Sequence, residues 1–183
     1  MRVRLFKLPP EDIEAQEAQI HDVYRQAFAA PPYNNTEEGV HGFARTLTHH
    51  IRRDGLRFYT ARDVEADQLV GFIYGYTSRP GQWWHDTIAS SMTPTMAQEW
   101  LTYALELVEL AVVPDAQGYG LGGQLHDALL RDVPHRTALL STYDGETRGM
   151  QLYRKRGWLP LLPQYYFPGG EKPMVIMGRQ LHP

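Results

Sequence analysis

The fold of this chain is decided by residues 111–123, Ala111-Val112-Val113-Pro114-Asp115-Ala116-Gln117-Gly118-Tyr119-Gly120-Leu121-Gly122-Gly123. An apolar segment typical of a buried strand leads into a loop with four glycines, and a helical pattern follows. Glycine has no Cβ, so backbone N–H groups can approach a ligand closely. The first turn of a helix adds the positive end of its dipole. The segment therefore predicts a site for a pyrophosphate.

Two glycine-rich nucleotide sites have a similar strand, loop and helix: the dinucleotide fold and the P-loop. Gly118-x-Gly120-x-x-Gly123 matches the dinucleotide pattern, and Asp144 follows about 20 residues later, as that pattern requires. A dinucleotide fold carries this loop on its first strand, however, whereas here about 60 residues remain after the loop, too few for the remaining crossovers. A P-loop is excluded because no Gly-Lys-Ser/Thr triplet follows the glycines.

The same segment resembles the GNAT N-acetyltransferase superfamily. Gln117-Gly118-Tyr119-Gly120-Leu121-Gly122 fits that family's Q/R-x-x-G-x-G/A signature, and Val112-x-Pro114 precedes it. The downstream run Met150-Gln151-Leu152-Tyr153-Arg154-Lys155-Arg156-Gly157-Trp158 is similar to its second segment, L-Y-x-x-x-G-F. The resemblance implies acetyl-CoA or another acyl-CoA as donor, an amine as acceptor, and direct transfer without a covalent enzyme intermediate.

The resemblance also implies which residues bind the cofactor. The backbone of Leu110, Ala111 and Val112 is expected to pair with the pantetheine amides as an added strand would. The pyrophosphate is expected on the loop formed by Gln117, Gly118, Tyr119, Gly120, Leu121, Gly122 and Gly123. One position departs from the family, which commonly has an asparagine seven residues before the conserved tyrosine, where this chain has Glu146.

Two side chains are candidates for proton transfer. Glu109 lies on the strand that leads into the loop, and strand alternation places it on one face with Leu107 and Ala111. Partial burial would raise its pKa and suit it to act as a general base, directly or through a water. Glu106, on the other face, is the weaker candidate. Tyr153 is the candidate acid, because the matching tyrosine of the family points at the cofactor sulfur.

The acceptor site is less clearly marked. Tyr33, Trp83 and Trp84 are candidates, since paired tryptophans in an irregular segment cover either the core or a substrate. His41, His49, His50 and His85 show no spacing typical of metal ligands, so they are interpreted as surface histidines and no metal is expected.

Composition limits the class of protein. The 183 residues favour a single domain, 1–183, with its own core. The net charge of −3 and the absence of a long basic run argue against nucleic-acid binding. There is no cysteine, which removes disulfides, thiolate metal sites and cysteine nucleophiles and fits a reducing cytoplasm. No signal peptide is recognised and no apolar run approaches about 18 residues, so no membrane span is expected. A homodimer is possible.

Periodicity predicts a mixed α/β chain. Strands are expected at 2–8, 56–62, 68–77, 105–112, 137–142, 158–167 and 173–181. Helices are expected at 11–29, 36–53, 94–102, 120–132 and 146–156, with 78–93 less regular. With the family resemblance, these elements predict a GNAT-like, mostly antiparallel central sheet flanked by helices.

The sequence therefore predicts an acetyl-CoA-dependent N-acetyltransferase acting on a small-molecule or protein amine. Two alternatives remain open. One is a non-catalytic acyl-CoA-binding protein on the same fold, and the less favoured one is a dinucleotide-binding oxidoreductase.

Overall fold

The computed structural model describes residues 1–181, which form seven helices and seven strands. The helices are α1 (Pro10–Ala15), α2 (Glu17–Phe28), α3 (Glu37–His50), α4 (Trp83–Ala89), α5 (Pro94–Leu101), α6 (Leu121–Leu130) and α7 (Arg148–Lys155). The strands are β1 (Val3–Lys7), β2 (Arg57–Asp63), β3 (Gln68–Ser78), β4 (Ala104–Val112), β5 (Thr137–Tyr143), β6 (Leu159–Tyr165) and β7 (Met174–Gln180).

The seven strands form one sheet in the order β1-β2-β3-β4-β5-β7-β6. β4 and β5 run parallel, as expected for two strands joined through a helix, here α6. The pairs β1–β2, β2–β3, β5–β7 and β6–β7 are antiparallel. The predicted mixed α/β fold with a mostly antiparallel sheet and flanking helices is thus confirmed.

The chain divides into two compact units, and the first contains residues 1–76 and 109–132. Its core is a row of aromatic rings. Phe43 on α3 stacks on Phe72 of β3 with ring centroids 5.7 Å apart, and Phe72 stacks on Phe58 of β2 at the same distance. Phe58 and Phe72 are fully buried. Stacked aromatic rings bury much apolar surface and hold α3 against the sheet.

The second unit contains residues 77–108 and those from 133 onward. Helices α4 and α5 cover one face of its strands. Ile88 of α4 and Leu101 of α5 form a buried cluster with Leu139 of β5 and Ile176 of β7. Gly178 on β7 lies so close to α5 that a Cβ there would be 2.6 Å from the Trp100 ring. A glycine is therefore required for this close approach.

The structure corrects several predicted boundaries. The helix expected at 11–29 is divided at Gln16 into α1 and α2. The segment 78–93, expected to be irregular, contains helix α4. The last helix begins at Arg148 rather than 146, because Thr147 is its N-cap and accepts a hydrogen bond from the Met150 backbone N–H. Within residues 1–181, none of the helices is long and apolar enough to cross a membrane.

Candidate active site

The first part of the site is the carboxyl end of β4, which lies tightly against β3. The Val113 backbone N–H donates to the Val70 carbonyl at 3.0 Å. A Cβ on Gly71 would be 2.9 Å from the Ala111 carbonyl oxygen, so only glycine allows β3 this close to β4. The predicted cofactor-binding residues Leu110, Ala111 and Val112 are thereby held in place along one strand.

The glycine loop follows immediately and is bound to the same strand. The side-chain amide of Gln117 donates to the Val112 carbonyl at 2.8 Å, across a short 3₁₀ turn at Pro114–Ala116. Gly118 and Gly120 have positive φ values of 89° and 76°, which L-residues rarely adopt. The loop conformation therefore depends both on these glycines and on the Gln117 side chain.

Helix α6 begins directly behind the loop, and its first turn has no side-chain cap. Its N-cap is Gly120 in the left-handed conformation, which offers no side-chain acceptor to the first N–H groups. Gly118 and Gly120 are exposed, Gly122 is half-buried, and the Tyr119 side chain is 71% exposed. The first-turn N–H groups and the dipole of this ten-residue helix suit an anion.

The opposite end of α6 is fixed by an arginine from β2. One guanidinium nitrogen of Arg57 donates to the Arg131 carbonyl at 2.8 Å and to the Ala128 carbonyl at 3.3 Å. The same nitrogen donates to the Tyr59 hydroxyl at 3.0 Å. A cation at the last carbonyls is favourable for the helix dipole.

Glu109, the predicted base, lies on β4 one residue before Leu110. Its side chain is half-buried, and this burial raises the pKa of its carboxyl to about 8, while a hydrogen bond from the Leu110 backbone acts in the opposite direction. Glu106 is only 4% exposed and pairs in register with Leu139 of β5. Two carboxylates therefore lie on the same strand in different environments.

Tyr153, the predicted acid, is carried by α7 in the second unit. It is 6% exposed, and its ring contacts the Trp158 ring edge-to-face with centroids 5.7 Å apart. Gly157, with φ of 75°, ends the helix. Glu146, at the position where the family commonly has asparagine, accepts a hydrogen bond of 2.5 Å from Arg154.

The predicted acceptor residues lie in different surroundings. Trp83, on α4, is 62% exposed and stacks on Phe167 with centroids 5.6 Å apart. Trp84 is half-buried, and its indole N–H donates to the Ser141 hydroxyl of β5 at 3.3 Å. Tyr33 is half-buried in the first unit and contacts the Phe28 ring edge-to-face at 4.9 Å.

Comparison with known proteins decides the family. Residues 18–158 match the model of the Acetyltransferase (GNAT) family. The chain belongs to the GNAT family. It is 31% identical to a GCN5-like protein acetyltransferase of Mycobacterium tuberculosis over 209 positions, which cover 99% of both chains.

Solved GNAT structures share the fold at low sequence identity. The ribosomal-protein-S18-alanine N-acetyltransferase of Escherichia coli has a TM-score of 0.64 at 15% identity and covers 98% of this chain and 94% of its own. The PaiA N-acetyltransferase of Thermoplasma acidophilum, solved with coenzyme A, has a TM-score of 0.60 at 17% identity and covers 98% and 99% of the two chains. At such identities, these likenesses concern the fold alone.

Membership of the GNAT family confirms the predicted activity class. The protein is an N-acetyltransferase, and neither the non-catalytic acyl-CoA-binding protein nor the oxidoreductase is supported. GNAT acetyltransferases use acetyl-CoA and act on amine acceptors of small molecules or proteins.

The interpretation of all four histidines as surface residues is wrong for two of them. His85 is 6% exposed and its Nδ1 is hydrogen-bonded to the Ser78 hydroxyl at 3.0 Å. His50 is half-buried between the hydroxyls of Tyr74 and Tyr76, at 3.1 and 3.3 Å. Burial, with a smaller effect of Arg53 and His49, lowers the pKa of His50 to about 4. The polar partners are Ser78, seven residues before His85, and the two tyrosines, 24 and 26 residues after His50.

Sequence analysis missed one contact of a predicted residue and two further residues that shape the site. Gln117 was expected to contact the cofactor, but its amide also ties the loop to Val112. Thr147 could have been recognised, since a threonine before a helical pattern is a typical N-cap. Ser141 carried no such local signal, because its contact with Trp84 joins residues 57 positions apart.

Proposed function

We propose that this GNAT enzyme binds acetyl-CoA with its pyrophosphate on the loop Gln117–Gly123 and transfers the acetyl group directly to an amine. The observation that carries the proposal is the start of α6, where a helix without a side-chain cap follows two glycines of positive φ. Such N–H groups lack an internal acceptor and fit the oxygens of a pyrophosphate. The backbone of Leu110, Ala111 and Val112 is proposed to bind the pantetheine amides.

In this proposal Glu109 is the general base. An alkylammonium has a reference pKa of about 10.4, so the attacking nitrogen must lose a proton. A carboxylate of pKa about 8 holds that proton better than an ordinary glutamate does. Because a base works best when its pKa lies near the working pH, the raised value favours Glu109, directly or through one water.

Tyr153 is proposed as the general acid. The amine nitrogen attacks the thioester carbonyl carbon, and the bond from carbon to sulfur then breaks. Glu109 releases the ammonium proton to water before the attack and then accepts the second proton that the nitrogen loses as the amide forms. The departing thiolate takes the phenolic proton of Tyr153, and solvent returns a proton to Tyr153 after the transfer. Tyr153 is buried on α7, and its ring packs edge-to-face against Trp158, which fixes the ring and supports a role in proton delivery.

For the acceptor, we favour an amine on a protein or peptide. The support is the full-length relative at 31% identity, which is itself a protein acetyltransferase. Tyr33, Trp83 and Trp84 are proposed to contact this acceptor. A cytoplasmic location, a single domain spanning 1–183 and a homodimer stay predictions, the first supported by the absence of cysteine.

Thermal unfolding with acetyl-CoA and with NAD tests the cofactor. Acetyl-CoA at 100 times its Kd is expected to add about 2.7 kcal/mol to the free energy of unfolding, and NAD none. Release of free CoA is then followed with a panel of peptides that carry a free lysine or a free N-terminus. Stabilisation by NAD alone, or turnover of no amine, would contradict the proposed function.

A further inference from the structure

An exposed aromatic surface in the second unit takes no part in the proposed proton transfers. It is formed by Trp83 of α4, Tyr165 at the end of β6, and Tyr166 and Phe167 after it. Trp83 is 62% and Tyr166 55% exposed, whereas Tyr165 and Phe167 are half-buried. We call these four residues the aromatic surface.

Ring contacts and hydrogen bonds hold the side chains of the aromatic surface in defined positions. Trp83 stacks on Phe167 at 5.6 Å, and Phe167 contacts Tyr165 edge-to-face at 5.0 Å. The Tyr165 hydroxyl donates to the Thr87 carbonyl of α4 and accepts from the Ser91 hydroxyl, both at 3.3 Å. Helix α4 and the segment after β6 are therefore held together as one surface.

The aromatic surface is joined to the catalytic part of the unit through Trp84 and β5. The Trp84 indole donates to Ser141, and the next residue, Thr142, lies beside α7. Its Oγ1 is 3.8 Å from the position that a Cβ on Gly149 would occupy, and the Tyr153 ring is 3.6 Å from the same point. Two consecutive residues of β5 thus contact α4 on one face and the helix of Tyr153 on the other.

The paired part of β4 and β5 ends just before this contact. The two strands are in register at Ala104–Thr137, Leu105–Ala138 and Glu106–Leu139. Ser141 and Thr142 follow two and three residues after the last pair. Trp84 and the helix of Tyr153 therefore both contact β5 directly after the segment that pairs with β4.

We propose that α4 selects the acceptor, and that the aromatic surface binds a large apolar side chain next to the amine of a peptide. This inference rests on the proposed function. Exposed aromatic rings of this extent lose contact with water when they cover an apolar side chain, whereas a small polar amine offers no such surface. A peptide supplies that neighbouring side chain, and the protein acetyltransferase named above supports this class of acceptor.

Paired peptides provide the test. Two lysine peptides and two peptides with a free N-terminus differ only in whether phenylalanine or serine follows the acceptor residue. The native enzyme is expected to acetylate the phenylalanine peptide of one pair with a kcat/KM about tenfold higher, as burial of an apolar side chain predicts. The pair that shows the preference identifies the acceptor amine. Equal kcat/KM within both pairs would overturn the inference.

Variants show where the preference arises. Trp83→Ala is expected to abolish it by raising KM for the phenylalanine peptide, with the Kd for CoA unchanged. Phe6→Ala removes an aromatic side chain that is 42% exposed on β1 and serves as the matched control. Trp84→Phe, which loses the bond to Ser141 but keeps a ring, is expected to weaken the preference partly.

Other results separate the inference from the proposed function. If no peptide or other amine is acetylated although acetyl-CoA binds, the proposed function fails. If peptides are acetylated but Trp83→Ala retains the full preference, only the inference about α4 fails. A native dimer that Trp83→Ala converts to a monomer in light scattering would also overturn it, because the aromatic surface would then bind a second copy of the chain.

Discussion

The side-chain amide of Gln117 donates a hydrogen bond of 2.8 Å to the backbone carbonyl of Val112, five residues earlier. This bond closes the loop between the end of β4 and the start of α6. The strand proposed to bind pantetheine and the loop proposed to bind pyrophosphate are therefore held in one arrangement before the cofactor arrives. Such preorganisation lowers the cost of ordering the loop on binding.

The first prediction concerns this bond. Gln117→Leu keeps the size of the side chain but removes the donor, so CoA affinity is expected to fall roughly 3- to 10-fold, the scale of one hydrogen bond. Isothermal titration calorimetry with CoA measures the change. Gln98→Leu, on the exposed surface of α5, is the matched control and should leave the Kd unchanged. Equal Kd values for both variants would mean that the loop keeps its shape without Gln117.

The second prediction compares two glycines with the same backbone conformation. Gly120 in the cofactor loop and Gly169 after β6 both have φ of 76°, and a Cβ on either would meet no atom within 4 Å. Alanine at either position is expected to cost about 1–2 kcal/mol of stability through backbone strain. Only Gly120→Ala should also weaken CoA binding. If both variants bind CoA as the native protein does, the glycine loop is a turn and no pyrophosphate site.

The third prediction follows from the raised pKa of Glu109. If Glu109 is the base, kcat/KM of the native enzyme falls as the pH drops below about 8, because the carboxylate becomes protonated. Glu109→Gln is expected to remove this acidic limb and to lower kcat by roughly 10²- to 10⁴-fold. Glu106→Gln is the informative comparison on the same strand. Loss of the limb in Glu106→Gln, with its retention in Glu109→Gln, would assign the base to Glu106 instead.

The same carboxyl links stability to pH. Its pKa in the folded protein, about 8, lies above the ordinary 4.5, so between these values the folded protein retains a proton that the unfolded chain loses. The free energy of unfolding therefore falls as the pH rises from 4.5 towards 8. Glu109→Gln is expected to be more stable than the native protein at pH 8, by on the order of 1–3 kcal/mol, with little difference at pH 4.5. Urea unfolding at both pH values checks this, with the exposed Glu99→Gln as control.

The fourth prediction tests Tyr153 as the acid. Tyr153→Phe keeps the ring that packs on Trp158 but removes the phenolic proton, so kcat is expected to fall roughly 10²- to 10⁴-fold while CoA affinity is unchanged. Stopped-flow or steady-state measurement of CoA release gives kcat, and calorimetry gives the affinity. Tyr103→Phe, on a partly exposed ring stacked on His135, is the control. A near-native kcat for Tyr153→Phe would mean that water protonates the thiolate.

Local signals explain what could be predicted from the sequence. The strand, the glycine loop and the start of the helix lie within about a dozen residues of sequence. The sequence therefore predicted correctly that a loop with Gly118 and Gly120 joins β4 to α6. The helix predicted from residue 36 corresponds to α3, whose N-cap Thr36 accepts a hydrogen bond from the Gly39 backbone N–H. The family then followed from two segments about 30 residues apart, and the matched model includes both.

Long-range contacts explain what could not be predicted. Helix α4 is short and has no strong periodic pattern. Two long-range hydrogen bonds hold it in place: Trp84 to Ser141, 57 positions later, and Tyr165 to Thr87, 78 positions earlier. The burial of His85 is a tertiary effect too, since its hydrogen-bond partner Ser78 lies at the end of β3 and the histidine lies on α4. The cofactor, catalytic and acceptor roles of single residues stay predictions, because membership of a family identifies the reaction but not the side chains that perform it in this chain.

The arginine of β2 at the far end of α6 has a consequence for how the protein responds to its cofactor. Arg57 binds the last carbonyls of a helix whose first N–H groups are proposed to hold the pyrophosphate. Arg57 therefore stabilises one end of this ten-residue helix, and the cofactor is proposed to stabilise the other end, about 15 Å away. The hydrogen bonds of Arg57 limit fraying at the C-terminal end of α6 with or without cofactor. Cofactor binding is expected to extend this protection to the N-terminal end, so amide hydrogen exchange should slow along α6 from the loop towards Leu130. Replacing Arg57 is therefore expected to speed exchange in α6, although Arg57 lies at the end of the helix opposite the proposed cofactor site.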